Sequence, residues 1–299
     1  MNLDGVRLVF SDLDDTLAEL YKPVSRGVQE CLDQLLNKGV IVAIITGQGK
    51  EGIYDRVASF IDEKNRKNLL MCGCSGAYVY GFDEDGRINE NPFYSLYDEK
   101  MNEAEKQKFR EVIAQLVDEF QLVTYPKMPR EEFRILTHGQ STSIMLDDRM
   151  SQITFEVIND LELRERILKR GKELFRENDL PIETVKAGTF AIDFTVEGVS
   201  KTVAVRFIME HVLAQMNCRD IRDKEIQVWG DKYSLVNGGT DMNILYGLNR
   251  QVLAIDFRDE PDDELDLSYN IQKWRGQYSL SKGLEEYLGT NLGSTNAHR

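Results

Sequence analysis

Arg7-Leu8-Val9-Phe10-Ser11-Asp12-Leu13-Asp14-Asp15-Thr16 runs a short β-branched and aromatic stretch straight into three carboxylates and a threonine. Arg7 to Ser11 has the composition of a strand. Beyond it, Ser25 to Lys38 sets Val28, Leu32, Leu35 and Leu36 on one helical face, and Gly39 closes the segment. Val40 to Ile45 is a continuous apolar run, as expected of a strand covered on both faces. A second helix through Ile53, Val57 and Ile61 then leads to a third strand near Leu69 to Cys72. The order βαβαβ predicts an α/β fold with a doubly wound parallel sheet.

The rhythm then changes. Ala77 to Phe82 and Arg87 to Asn89 flank Asp83-Glu84-Asp85-Gly86, which predicts a hairpin. Phe109, Val112, Ile113, Leu116, Val117 and Phe120 form one stripe of a long helix. Strands are expected at Ser143 to Leu146, Gln152 to Ile158, Glu183 to Val185 and Thr189 to Thr195, with a helix over Leu161 to Asn178. Hairpins mixed with helices predict an α+β module. From Lys201 the first rhythm returns: a helix, a strand at Ile226 to Trp229, a short helix, a strand at Val252 to Asp256 and a terminal helix over Leu280 to Leu288. The expected division is a core of residues 1–82 and 198–299, with an α+β domain of residues 83–197 inserted after the third strand, and Gly289 to Arg299 as a loose tail.

A chain of 299 residues suits two domains, and 41% hydrophobic with 29% charged residues permits a sizeable core. The net charge of -14 argues against a nucleic-acid surface, which needs a basic face to displace counterions, and against anionic lipid. A phosphate ester still binds where local Lys, Arg or metal charge outweighs the global field. No apolar run approaches bilayer length, and Met1 to Gly5 lacks the marks of a signal peptide, so a cytoplasmic location is expected. Cys31, Cys72, Cys74 and Cys218 form no pair of CxxC units and read as reduced thiols; His138, His211 and His298 show no metal-ligand spacing. Oligomeric state is left open.

In an open parallel sheet, ligands gather at the carboxyl ends of the strands. Asp12 and Asp14, just past the first strand, both reach such a site. Two carboxylates about 4 Å apart at an effective dielectric near 20 repel by roughly 4 kcal/mol. One must take up a proton, or a cation must join them, and oxygen-only ligands suit Mg²⁺. Asp231 follows the strand Val228-Trp229-Gly230, Asp241 follows Gly238-Gly239-Thr240, Lys201 stands at a helix start after Gly198-Val199-Ser200, and Thr46-Gly47 ends the second strand. All are expected on one edge of the sheet. Gly47-Gln48-Gly49-Lys50-Glu51-Gly52 also fits the dinucleotide pattern G-x-G-x-x-G, but the acid that should end the next strand is replaced by Cys72-Gly73-Cys74. That reading leaves Asp12, Lys201 and Asp231 without a role.

The ordered set Asp12 to Thr16, Thr46, Lys201, and Gly230-Asp231 with Asp241 resembles the haloacid dehalogenase-like superfamily. Ser75-Gly76-Ala77 and Glu197-Gly198-Val199-Ser200-Lys201 resemble its branch with a large cap after the third strand. The resemblance implies a Rossmann-like core and a Mg²⁺-dependent phosphohydrolase acting on a small phosphorylated metabolite, with sugar phosphates favoured. It implies Asp12 as nucleophile, Asp14 as acid and base, and Thr46, Gly47 and Lys201 on the phosphoryl oxygens. Metal would sit with Asp12, Asp14 (through its carbonyl), Asp231 and, directly or through water, Asp241. Asp148-Arg149-Met150-Ser151-Gln152-Ile153-Thr154-Phe155 resembles phosphomannomutase-like proteins, which implies substrate contacts for Arg149 and Asp193. The mutases carry an Arg soon after the first motif and further cap arginines. Here Glu19 to Val24 offers only Lys22, Ile158-Asn159-Asp160 lacks the second arginine, and Ala191 replaces a Ser. A phosphatase is therefore preferred to a phosphosugar mutase, and both to a protein that only binds a phosphorylated ligand or nucleotide.

Overall fold

A computed structural model describes residues 2–234, 239–259 and 265–292. The chain divides into two compact units, Met1–Tyr94 with Ser200–Arg299, and Ser95–Val199. The first unit opens with β1 (Leu8–Ser11), α1 (Arg26–Asn37), β2 (Ile41–Ile45), α2 (Lys50–Arg56), α3 (Glu63–Arg66), β3 (Leu69–Gly73), β4 (Tyr78–Tyr80) and β5 (Tyr94–Ser95). Every residue of β1, β2 and β3 is buried, as a sheet covered on both faces requires. Ser25 caps α1 by accepting from the Val28 amide, and Val28, Leu32, Leu35 and Leu36 are its buried face.

The second unit holds α4 (Leu96–Lys100), α5 (Glu103–Glu119), β6 (Val123–Tyr125), α6 (Arg130–Thr137), β7 (Ser143–Asp148), β8 (Gln152–Glu156), α7 (Leu161–Glu177), β9 (Ile182–Ala187) and β10 (Ala191–Val196). Its sheet runs β6-β7-β8-β10-β9, antiparallel except between β6 and β7. The rings of Phe155, Phe194, Phe175 and Phe109 form a chain of contacts, with centroids 5.0, 5.8 and 5.7 Å apart, joining sheet to α7 and α5. Gly171 brings α7 close, since a Cβ there would come within 2.9 Å of Phe194. Phe133 of α6 packs with Met145 and Ile158 in a separate apolar cluster.

The chain returns to the first unit with α8 (Lys201–Phe207), continued through a π-helical turn at Ile208–Val212 into α9 (Leu213–Gln215). There follow β11 (Ile226–Gly230), α10 (Met242–Leu245), β12 (Leu253–Asp256), β13 (Ile271–Lys273) and α11 (Leu280–Leu292). The sheet order is β13-β12-β11-β1-β2-β3-β4-β5, parallel from β13 to β3, with β4 antiparallel to β3. Strand order reverses at β1, the switch point where ligand sites form.

Several expectations need correction. The helix expected through Ile61 ends at Arg56, because Val57 turns to φ -132°, ψ -64°. The apolar spacing survives the break, and Arg66 donates to the carbonyls of Ile61, Ser59 and Gly86. The hairpin around residues 83–86 is a turn closed by one bridge, Phe82 to Ile88, held by the Asp83 carboxylate accepting from the amides of Asp85 and Arg87. Residues 83–94 stay with the first unit rather than opening the second: Asn89 donates to Gly81, Phe93 donates to Val79, and Tyr94 stacks on Phe207 at 4.6 Å. The terminal helix runs on to Leu292, four residues past the expected end. Thr290 and Asn291 donate back to the carbonyls of Glu286 and Tyr287 there, and the helix continues through Gly289 although a glycine costs it roughly 1 kcal/mol. Of the expected tail, residues 293–299 lie outside the described residues, as do Gly238 and His298.

Candidate active site

The parallel register decides what meets at the edge of the sheet. Ser11 stands level with Trp229 on one side and Ile44 on the other, and the Asp12 amide continues the ladder by donating to the Trp229 carbonyl at 3.0 Å. Asp12, Asp231 and Thr46 thus leave three adjacent strands at the same end. All three are buried.

Lys201 joins them. Ser200 caps α8 by accepting from the Val203 amide, which starts the helix at the lysine. Lys201 Nζ donates to Asp12 Oδ1 at 2.7 Å and to Asp241 Oδ1 at 2.8 Å. Asp241 is fully buried; its Oδ2 accepts from the amides of Asp231 (3.1 Å) and Lys232 (3.0 Å). It stands at the start of α10, yet its side chain makes no cap bond there and turns inward instead. Thr16 Oγ1 donates to Asp231 Oδ1 at 3.1 Å. One carboxylate oxygen from each of Asp12, Asp231 and Asp241 lies within 4.8 Å of the others.

Burial pushes the Asp12 carboxyl up to about 6, with Lys201 opposing the rise and Asp241 adding to it. Burial likewise pushes Asp231 up to about 7, against the pull of Lys232. Burial alone would lower the Lys201 ammonium, but Asp12 and Asp241 outweigh it and hold the lysine above its ordinary value. Three convergent oxygen donors, two of them reluctant to ionise unaided, fit a hard divalent cation such as Mg²⁺.

The second strand's end is braced by an unusual turn. Cys74, Ser75 and Gly76 all have positive φ, at 49°, 59° and 97°. The Cys74 amide donates to Gln48 O and the Ser75 amide to Thr46 O, both at 2.8 Å, while Thr46 Oγ1 accepts from the Gln48 amide. A Cβ at Gly76 would lie 2.7 Å from the Ser200 carbonyl. One turn therefore touches both the Thr46-Gly47 loop and the start of α8. Gly76 is the residue type expected at positive φ, but neither Cys74 nor Ser75 announces left-handed backbone, so the extent of the turn was not legible in the sequence.

Asp14 lies on the loop after β1, but its carboxylate is taken up by Arg56 (2.6 Å to Oδ1) and Gln48 (3.1 Å to Oδ2). Its expected metal contact was through the carbonyl, which these bonds leave alone. Sequence analysis gives neither residue this role: Arg56 lies in no motif, and Gln48 is only a variable position of the Gly47 to Gly52 stretch. Lys232, 3.5 Å from Asp231, is a further cation at this edge.

Arg149 and Asp193 belong to the second unit. Arg149 pairs with Asp147 at 2.7 Å, not with Asp148, which instead meets Arg110. Asp193 accepts from Thr154 at 2.6 Å and is half-buried; that burial raises its carboxyl. Asp147, Thr154 and Asp193 are level across β7, β8 and β10, and Lys127 reaches Asp147, so these side chains form one polar row. No disulfide joins any of the four cysteines, and among the described residues no helix is long and apolar enough to cross a membrane.

The model of the haloacid dehalogenase-like hydrolases matches residues 9–230. No curated protein matches the sequence. Among solved structures, a haloacid dehalogenase-like hydrolase from Bacteroides thetaiotaomicron superposes with a TM-score of 0.61 at 13% identity, covering 95% of this chain and 99% of that one. An IMP-bound IMP-nucleotidase from Plasmodium falciparum gives 0.52 at 14% identity, covering 97% and 69%. A trehalose-6-phosphate phosphatase related protein gives 0.54 at 14%, covering 95% and 96%. At such identities the likeness is one of fold.

Proposed function

The chain belongs to the haloacid dehalogenase-like hydrolases, and from that premise we propose that it is a magnesium-dependent phosphatase of small phosphorylated metabolites, sugar phosphates first among them. The observation that carries the reading is the shared Lys201 ammonium, which ties Asp12 to Asp241 beside Asp231 at the switch point of the sheet. Two of the similar structures are named for a nucleotidase and for a sugar-phosphate phosphatase, in keeping with that class.

In this reading Asp12 attacks phosphorus and the ester oxygen departs, leaving an aspartyl-phosphate; water then cleaves it, so one difficult step becomes two easier ones. Asp14 gives a proton to the departing alcohol and later takes one from the water. Thr46, the Gly47 amide and Lys201 hold the phosphoryl oxygens, over which transition-state charge is spread. Asp12, the Asp14 carbonyl and Asp231 would hold Mg²⁺. When bound, the ion offsets the repulsion between carboxylate nucleophile and anionic ester. Asp241 has both oxygens engaged, which favours its acting by fixing Lys201 and the amides after β11. The second unit is taken as the inserted cap, where Arg149 and Asp193 would bind the substrate's polar groups.

The test is phosphate release from a panel of sugar phosphates and nucleoside monophosphates. Release should depend on Mg²⁺, stop in EDTA, and vanish in Asp12→Asn with the circular dichroism spectrum unchanged. Near-normal turnover by Asp12→Asn would end the nucleophile role. Interconversion of hexose phosphates with a bisphosphate activator, without release, would move the assignment to a mutase.

A further inference from the structure

We propose that Arg56 is the positioning residue for Asp14, holding the acid–base carboxylate in register with the loop that grips the phosphoryl group; the inference rests on the phosphatase reading above. Arg56 ends α2, and its guanidinium is spent on one neighbour, the irregular loop between β1 and α1. NH1 donates to Asp14 Oδ1 at 2.6 Å, Nε to the Lys22 carbonyl at 2.8 Å and NH2 to the Glu19 carbonyl at 3.0 Å, while its own carbonyl accepts from the Val24 amide at 2.9 Å. The ion pair is sheltered, with side chains 12% and 17% exposed.

Two observations separate this from mere loop pinning. First, one guanidinium nitrogen goes to the side chain of Asp14, although backbone carbonyls alone would anchor the loop. Second, the other Asp14 oxygen is held by Gln48, whose backbone carbonyl and amide also brace the Thr46 loop. Both donors to Asp14 therefore come from the segment 46–56, which begins with the phosphoryl-binding threonine. The carboxylate and the phosphoryl cradle share one frame. A proton donor displaced by about 1 Å costs up to ~100-fold in rate.

The step at stake has a defined balance. As the Asp12 oxygen–phosphorus bond forms, the phosphorus–alcohol oxygen bond breaks, and a proton passes from Asp14 to the departing oxygen. An alkyl alkoxide needs that proton; p-nitrophenolate leaves without it. Pre-steady-state release of the alcohol is measured with an alkyl ester, glucose 6-phosphate, and with p-nitrophenyl phosphate, in wild type, Arg56→Ala, Asp14→Asn and the double variant. Arg56→Ala should slow alkyl release by about 10- to 100-fold and nitrophenolate release by less than about threefold. The double variant should be no slower than Asp14→Asn, since a positioner has nothing left to position. Arg56→Lys, which retains a cation within reach of Asp14 but drops the carbonyl bonds, should recover alkyl release.

Equal slowing of both esters, multiplicative effects in the double variant, or Arg56→Lys as slow as Arg56→Ala would overturn the inference. If Arg56→Ala does not fold, Arg56→Met, which keeps the length of the side chain but no donor, carries the comparison, and the same selective slowing of the alkyl ester is expected. Should Asp14→Asn release the alkyl alcohol normally, the acid–base role of Asp14 is wrong and the inference falls with it. If Asp14→Asn is slow and Arg56→Ala is not, only the inference falls.

Discussion

Replacing Lys201 by Met would leave two buried carboxylates facing each other without their counter-ion. The lysine side chain is 8% exposed, that of Asp12 8% and that of Asp241 0%, so water cannot take over. Removing one partner from a buried ion pair costs about 3–5 kcal/mol. For a domain of this size each kcal/mol shifts the unfolding midpoint by about 2–4 °C, so the midpoint at pH 8 should fall by on the order of 10 °C. The loss has a definite pH dependence. Asp12 stands near 6 with the lysine present, held there by burial against the pull of Lys201. Without that pull it rises further, so at pH 5 the carboxylate takes a proton and the penalty shrinks. Differential scanning calorimetry of metal-free protein at pH 5 and pH 8 reads both numbers. Lys201→Met/Asp241→Asn, which removes one stranded charge and keeps an oxygen for the two amides, should recover more than half of the stability. Phosphate release should stay at least about 100-fold down in both variants if Lys201 is, as proposed, a charged donor to the phosphoryl group. A loss under about 1 kcal/mol at pH 8, or an equal loss at both pH values, would refute the argument, since a buried counter-ion must do more than that.

Two further outcomes follow from the same geometry. Gly76→Ala forces a Cβ to within 2.7 Å of the Ser200 carbonyl at φ 97°; a destabilisation of about 2–4 kcal/mol in urea, with turnover reduced as the start of α8 shifts, is expected, and wild-type values for both would contradict it. Burial raises Asp12 to about 6 and Asp231 to about 7, well above the ordinary carboxylate range. The metal-free folded state then binds extra protons between roughly pH 4 and 7, and their contribution to stability is lost as pH rises through that window. Mg²⁺ must displace those protons, so its stabilising shift in the melting midpoint should be larger at pH 8 than at pH 5; an equal shift at both would count against the carboxylate cluster as the metal's seat.

What could be read in advance follows from how far each signal reaches along the chain. Strands buried on both faces show themselves as unbroken apolar runs, and β1, β2 and β3 lie where those runs are. The helix starts near Ser25 and at Lys201 were equally plain, and the structure shows a serine capping each. Asp12, Lys201, Asp231 and Asp241 were found because their order along the chain matches a known pattern, and the structure brings all four together. Arg56 escaped because its partner is 42 residues away and nothing local marks an arginine at a helix end. The break at Val57 escaped because Ile53, Val57 and Ile61 keep a helical spacing while the backbone departs from it. In the second unit α6 and β6 were missed: Arg130–Thr137 is half charged and buries only Phe133 and Thr137, and Val123–Tyr125 is three residues with little burial.

The contact between Gly76 and the Ser200 carbonyl lies where the chain re-enters the first unit after its long excursion. The return point is thus anchored by the β3–β4 turn rather than by whatever the excursion happens to contain. Such an arrangement suits grafting: a different insert, longer or shorter, could be spliced between Tyr94 and Ser200 while the lysine is still delivered to the same spot.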